Sequence, residues 1–195
     1  MTWKSSEKIK WGILGCAAIA GKALIPAFKK AQKAELVAIS SRSAATATDW
    51  AKKFGLAKSY GSYEELLADK EIDAIYIPLP NHLHFEWTVK ALRAGKHVLC
   101  EKPLALTAGE VMEMFEEAQA NKRLLMEAFR YRFHPRLGKA VELIESGAIG
   151  EPRLVCSAFT FVFDREPDNY RWSPLMGGGA LYDVGCYTIN AARLA

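Results

Sequence analysis

The chain of 195 residues lacks any strong bias of charge, since 26 lysines and arginines stand against 22 aspartates and glutamates. The net charge is only +4, and no basic run or basic-aromatic stripe occurs, which argues against a nucleic-acid partner. Cysteine is scarce. The four residues, Cys16, Cys100, Cys156 and Cys186, lie far apart without metal-ligand spacing, and three of them sit in apolar segments. That usage predicts reduced thiols in a cytoplasmic protein and no metal site. Long apolar runs are missing too: Lys22 interrupts the run that begins at Trp11, well short of the ~20 residues of a membrane span. Lys4, Lys8 and Lys10 before that run, with Ala18-Ile19-Ala20 after it, mimic a secretion signal, and Ile13-Leu14-Gly15-Cys16 mimics a lipoprotein box. The same residues read as a buried strand turning into a helix, a unit repeated down the chain, so retention is expected.

What is present is alternation. Apolar strands are predicted at Ile9–Gly15, Glu35–Ser40, Lys58–Tyr60, Asp73–Ile77, Lys96–Cys100 and Leu124–Ala128. Helices are predicted between them at Ala18–Ala31, Ala44–Phe54, after the N-cap Ser62, at Leu83–Ala94 and from the capping-box residue Thr107 to Ala120. Alternation of this kind specifies an α/β fold, a doubly wound parallel sheet of Rossmann type, over residues 1–128. After Ala128 the character changes. A helix over Pro135–Ser146 precedes a long strand, Leu154–Asp164, with Val155, Ser157, Phe159, Phe161 and Phe163 on one face. No partner strands follow it, and a helix from Gly179 runs to Ala195 without a stop signal. The expectation is the opening of an α+β second domain over 129–195, incomplete in this chain.

Four stretches carry chemistry. Gly15-Cys16-Ala17-Ala18-Ile19-Ala20 lies between the first strand and its helix, where a dinucleotide fingerprint belongs. The glycine allows the tight turn, and the helix N-terminus offers N–H groups to a pyrophosphate. Ala17 replaces the usual second glycine; the bland alternative is an ordinary small-residue helix start. The second strand ends in Ser41-Arg42 rather than in the acid that grips a ribose 2′-hydroxyl. A guanidinium suits a 2′-phosphate, so NADP is the expected cofactor with NAD possible, the alternative being a solvated arginine. Pro80-Asn81-His82-Leu83-His84 follows the fourth strand, with Asn81 a candidate cap for the next helix and both histidines readable as packing residues. Glu101-Lys102-Pro103 ends the fifth strand, at the edge that faces the ligand crevice in an open α/β sheet, and the pair also reads as solvated charges. Finally, in Gly177-Gly178-Gly179-Ala180-Leu181-Tyr182-Asp183-Val184-Gly185-Cys186-Tyr187, Asp183 and Tyr187 share a helix face.

Together with Gly12-Ile13-Leu14-Gly15-Cys16 and Glu127-Ala128-Phe129-Arg130-Tyr131-Arg132-Phe133-His134-Pro135, these motifs resemble the Gfo/Idh/MocA family of oxidoreductases. Within it they are most similar to NADP-dependent D-xylose 1-dehydrogenases and dimeric dihydrodiol dehydrogenases. The resemblance implies hydride transfer between nicotinamide and a carbinol carbon of a sugar or cyclic diol. It implies Tyr187 as general acid/base, Lys102 lowering its pKa and Asp183 as a supporting catalytic residue. Gly15, Cys16, Ala17, Ala18, Ile19, Ala20, Ser41, Arg42, Pro80, Asn81, His84, Glu101 and Lys102 form the implied cofactor set. It further implies a homo-oligomer assembled through the second-domain sheet. A dinucleotide-binding regulator without turnover, or an inactive fragment, is the alternative on the same fold.

Overall fold

The computed structural model describes residues 8–162, 166 and 169–194 and divides into two compact units, Met1–Glu127 and Ala128–Ala195. In the first unit six strands run parallel: β1 (Ile9–Leu14), β2 (Ala34–Ser40), β3 (Lys58–Tyr60), β4 (Ala74–Ile77), β5 (His97–Cys100) and β6 (Leu125–Glu127). Their order, β3-β2-β1-β4-β5-β6, is that of a dinucleotide-binding doubly wound sheet. All four residues of β4 are buried, as expected of a central strand covered on both faces. Between the strands lie α1 (Ile25–Phe28), α2 (Ala44–Phe54), α3 (Tyr63–Ala68), α4 (His84–Arg93) and α5 (Ala108–Ala120). Two apolar clusters fill the two faces. Ile13, Ala20, Ile25, Ile39, Ala51 and Tyr76 make one, while Leu14, Leu66, Ile75, Ile77, Leu92, Val98 and Met114 belong to the other.

Ser62 and Thr107 cap their helices as expected, Thr107 in a complete capping box with Glu110. The first crossover helix differs from the regular one expected over Ala18–Ala31. It widens into a π-helical stretch at Ala20–Leu24, where the Ile25 N–H reaches Ala20. Pro26 lacks the N–H that an α-helical bond at that point requires, which explains the widening, and the helix proper ends at Phe28. Asn81 does not cap α4: it opens a 3-10 turn, Asn81–Leu83, and Leu83 stands at the N-cap with no side-chain bond. Lys96 precedes β5 rather than joining it. Its buried ammonium donates to the main-chain oxygens of Asp69 and Ile72.

In the second unit, α6 (Pro135–Glu145) is capped by the His134 imidazole and stops before Gly147. The strand expected over Leu154–Asp164 forms no ladder in residues 152–162, and Leu154 and Val162 stand 81% and 96% exposed. An extended segment becomes a strand only against a partner edge, and no described residue supplies one. Phe163 and Asp164 lie outside the described residues. The last helix, expected from Gly179, begins with a π-helical stretch at Leu181–Gly185 and continues as α7 (Cys186–Ala192). Ala195 also lies outside the described residues.

Candidate functional site

Gly15 follows the fully buried Leu14 and turns the chain with φ +97°, a left-handed conformation that glycine alone adopts without strain. Its N–H donates to the Ser40 oxygen at 2.9 Å, joining the ends of β1 and β2. A Cβ at Gly15 would stand 2.8 Å from Leu79 Cδ2, so the turn leaves a bare backbone face that any larger residue would fill. Beyond it Ala18 and Ile19 are exposed, while Ala20 is fully buried against the sheet. Small residues and an open helix start fit a dinucleotide pyrophosphate.

The turn after β2 stands beside this one. Buried Ser40 donates its hydroxyl to the Ile13 oxygen at 3.2 Å, and the Ser41 N–H donates to Tyr60 at 3.1 Å. Ser41 Oγ accepts from the Ser43 N–H, and Ser43 caps α2 by accepting from Thr46. Burial pushes the Cys16 thiol up, opposed by its hydrogen bond with Ser41. Cys16, Ser41 and the exposed Arg42 are thus brought together with Gly15. Tyr63, which the sequence pattern offered only as a helix residue, also reaches this corner; its hydroxyl lies 3.7 Å from the position of a Gly15 Cβ.

The Glu101-Lys102-Pro103 stretch is held from three sides. The Tyr76 hydroxyl on β4 donates to Glu101 Oε1 at 2.6 Å. On α4, His84 Nδ1 lies 2.7 Å from the Pro103 oxygen and Nε2 lies 2.8 Å from the Leu79 oxygen. From β6, Glu127 accepts the Leu104 N–H at 2.9 Å. The Lys102–Pro103 peptide is cis, and Lys102 is half-buried at the centre of this loop. His84 has no exposed surface, and both ring nitrogens face protein carbonyls. Burial pushes its pKa down, so the neutral ring donates to one carbonyl at a time and ties the loop after β4 to the loop after β5. Asn81 is buried beside it, and Pro80 is half-buried. Tyr76 carried no sequence signal beyond an apolar run, and Glu127 stood only at the head of a motif quoted for the family resemblance, with no role assigned to it.

In the second unit Asp183 is buried, and its carboxylate is 3.0 Å from Arg171 Nε. Main-chain bonds reinforce the pairing: Gly179 N–H donates to Arg171 and Asp183 N–H to Gly179. Gly178 lets these segments touch, since a Cβ there would lie 2.5 Å from the Tyr170 oxygen and 2.6 Å from that of Arg171. Arg171 is a site residue the sequence reading missed. Tyr187 stands among aromatic rings, stacked on Phe159 at 5.5 Å and edge-on to Phe129 at 5.3 Å, with Tyr131 at 5.8 Å. The Tyr131 hydroxyl in turn donates to Asn190. Lys102 belongs to the first unit and Asp183 and Tyr187 to the second.

Comparison with known proteins gives these features a class. Residues 9–129 match the family described as "Oxidoreductase family, NAD-binding Rossmann fold", and residues 138–195 match the "GFO/IDH/MocA C-terminal domain". The chain belongs to the Gfo/Idh/MocA family. It is 47% identical over 184 residues to D-xylose 1-dehydrogenase (NADP(+)) 2 of Haloferax volcanii, covering 94% of this chain and 56% of that protein. It is 39% identical to a dTDP-3,4-didehydro-2,6-dideoxy-alpha-D-glucose 3-reductase of Streptomyces violaceoruber, covering 95% of this chain and 54% of that one. Among solved structures, a variant of the 3-ketoreductase KijD10 from Actinomadura kijaniata, in complex with TDP-benzene and NADP, superposes with a TM-score of 0.89 at 38% identity. That match covers 96% of this chain and 57% of the other. The chain therefore spans little more than half the length of these relatives. Among the described residues, no helix is long and apolar enough to cross a membrane.

Proposed function

We propose that the chain is the cofactor-binding part and the opening of the substrate domain of an NADP-dependent oxidoreductase acting on a CH–OH carbon of a sugar or cyclic diol. The observation that carries this reading is the three-sided anchoring of the Lys102 loop at the carboxyl end of the sheet. A solvated lysine at a helix start needs no such support from β4, α4 and β6; a lysine that must meet a reacting group does. Gly15 to Ala20 would hold the pyrophosphate, and Ser41 and Arg42 the ribose 2′-phosphate. NADP, when bound, supplies the hydride chemistry at its nicotinamide ring. The relatives named for D-xylose and dTDP-sugar substrates and the NADP bound in KijD10 support the cofactor and the sugar class.

In this reading Tyr187 takes or gives the hydroxyl proton of the substrate. The Lys102 ammonium favours the phenolate and orients the hydroxyl, lowering the Tyr187 pKa below the ~10 of a free phenol. Asp183, its carboxylate paired with Arg171, holds Tyr187 or the substrate. Oxidation then rises with pH through the lowered Tyr187 pKa.

The test uses a form extended to the length of its relatives and assayed with D-xylose and NADP. Tyr187→Phe keeps the ring among Phe129, Tyr131 and Phe159 but removes the proton, so turnover falls by about 10²–10⁴-fold while NADPH binding survives. Near-normal turnover in Tyr187→Phe would refute the role given to Tyr187. Lys102→Met should lose turnover at neutral pH and recover part of it at high pH.

A further inference from the structure

Residues 169–179 of the second unit fold back onto the helix start that leads to Tyr187. The Asn169 side chain accepts the Arg171 N–H at 3.1 Å and opens a 3-10 turn, Tyr170–Trp172. The Arg171 oxygen accepts the Gly179 N–H at 2.8 Å, and the Gly179 oxygen accepts the Asp183 N–H at 3.0 Å. Gly178 permits this approach, because a Cβ there would meet the Tyr170 and Arg171 oxygens. The Arg171 guanidinium lies over the Tyr170 ring, 4.8 Å from its centroid, and Nε is 3.0 Å from Asp183 Oδ2. The main chain carries Arg171 to the helix start, and the side chain there meets a carboxylate.

Stability alone does not account for this pair. The Asp183 side chain is only 11% exposed, and removing two charges from water offsets much of their attraction. Apolar residues of similar volume often serve a fold as well. Position does account for it. Asp183 stands four residues before Tyr187, in the π-helical stretch that leads into α7. A carboxylate there without a cation would oppose a phenolate at Tyr187, since a like charge disfavours the ionised form. The described ring contacts of Tyr187 are to Phe129, Phe159 and Tyr131. Tyr131 is titratable, donates its hydroxyl to Asn190 and has the Arg132 charge nearby. On the helix itself, the Cys186 thiol turns to the Tyr182 oxygen at 3.3 Å. None of these groups meets the Asp183 carboxylate as Arg171 does.

We propose that Arg171 is a positioning residue for the proton transfer at Tyr187: its guanidinium fixes the Asp183 carboxylate and offsets its charge beside the phenol. The inference rests on the reading of Tyr187 as the group that moves the proton and adds the residue that sets its surroundings.

The experiment uses the form extended to the length of its relatives, with D-xylose and NADP. Arg171→Gln should lower kcat about ten- to hundredfold and leave NADP affinity within about twofold. It should also move the rise of kcat with pH upward by about one unit. Arg171→Lys keeps the cation, so the rise should return to its original pH and kcat should recover to within about tenfold. Arg171→Gln combined with Asp183→Asn removes both charges; the rise should return there too, although kcat stays low. That double variant carries the test if Arg171→Gln alone does not fold. A rise at unchanged pH in Arg171→Gln would overturn the inference, as would a loss of kcat that Arg171→Lys does not relieve. A rise still displaced in the double variant would overturn it as well. Tyr187→Phe, assayed alongside, separates the two readings. If it keeps near-normal turnover, the role of Tyr187 fails and the inference falls with it. If it loses turnover while the Arg171→Gln profile stays in place, only the role of Arg171 fails.

Discussion

Removing the Tyr76 hydroxyl tests whether the Lys102 loop is held from beneath. Tyr76 is 1% exposed and donates to the Glu101 carboxylate at 2.6 Å. Tyr76→Phe keeps the ring volume in the β4 core, so no cavity term enters. What is lost is a hydrogen bond to a charged acceptor, worth about 1.5–3 kcal/mol. Glu101 is half-buried, and water replaces part of that bond, so we expect a destabilisation of about 1.5–2 kcal/mol. For a chain of this length that corresponds to a Tm roughly 3–8 °C lower. Urea unfolding, followed by tryptophan fluorescence, should show the midpoint falling with an unchanged slope. A cycle with Glu101→Gln should reveal coupling between the two positions, and NADPH should bind more weakly in both single variants. A loss below about 0.5 kcal/mol, the range of ordinary surface substitutions, would show that the loop keeps its place without Tyr76.

Three further outcomes are expected. Although burial pushes the Asp69 carboxyl up, hydrogen bonds from Lys58 and Tyr60 and from the Glu71 N–H bring it down to about 2. Its contribution, about 1–2 kcal/mol after solvent screening, is complete above pH 4 and is lost as pH falls toward 2; Asp69→Asn should flatten the urea midpoint over that range. Gly178→Ala forces a methyl onto main-chain oxygens and should destabilise the second unit by about 1–3 kcal/mol, seen as a lower Tm, whereas a neutral effect would contradict the close approach. Arg171→Gln removes the cation 3.0 Å from the buried Asp183 carboxylate, so the same unit should lose about 2–4 kcal/mol, with partial recovery in Arg171→Gln combined with Asp183→Asn.

The alternation of strands and helices was legible because each strand of the sheet is a short apolar run and several helices begin with a side-chain cap. Ser62 and Thr107 are local signals, and the structure uses them as read. Asn81 has the same chemistry and is spent differently, because the two prolines before it set a 3-10 turn ahead of α4. Leu154 to Val162 has the period of a strand, yet period specifies only which side chains share a face, not whether an edge is available to pair. Of the residues named from motifs, Gly15, Ser41, Arg42, Glu101 and Lys102 fall at strand ends and turns, where local sequence is informative, while His84, Asp183 and Tyr187 lie on helices. Tyr63, Tyr76 and Arg171 escaped, and Glu127 was quoted in a motif without a role, because their partners lie elsewhere in the sequence. In an apolar run such as Ala74-Ile75-Tyr76-Ile77 a tyrosine reads as core, and only the folded sheet shows that its hydroxyl meets Glu101.

The order of the strands also bears on how the crevice comes into being. β1 and β4 are neighbours at the centre of the sheet, joined at their start by the Lys10 N–H donating to Asp73, 63 residues apart in the chain. The pairs β1–β2 and β4–β5 each close a loop of roughly two dozen residues, and every doubling of loop length adds only about 0.6 kcal/mol of closure entropy. The thermodynamic difference is small, but the kinetic one is larger, since non-local parallel pairings reward the chain only after closure. Each half of the sheet therefore has its own short-range reason to form, and the seam between β1 and β4 joins two pre-shaped pieces. The Gly15 turn lies on one side of that seam and the Lys102 loop on the other, so neither half of the sheet alone brings the two together.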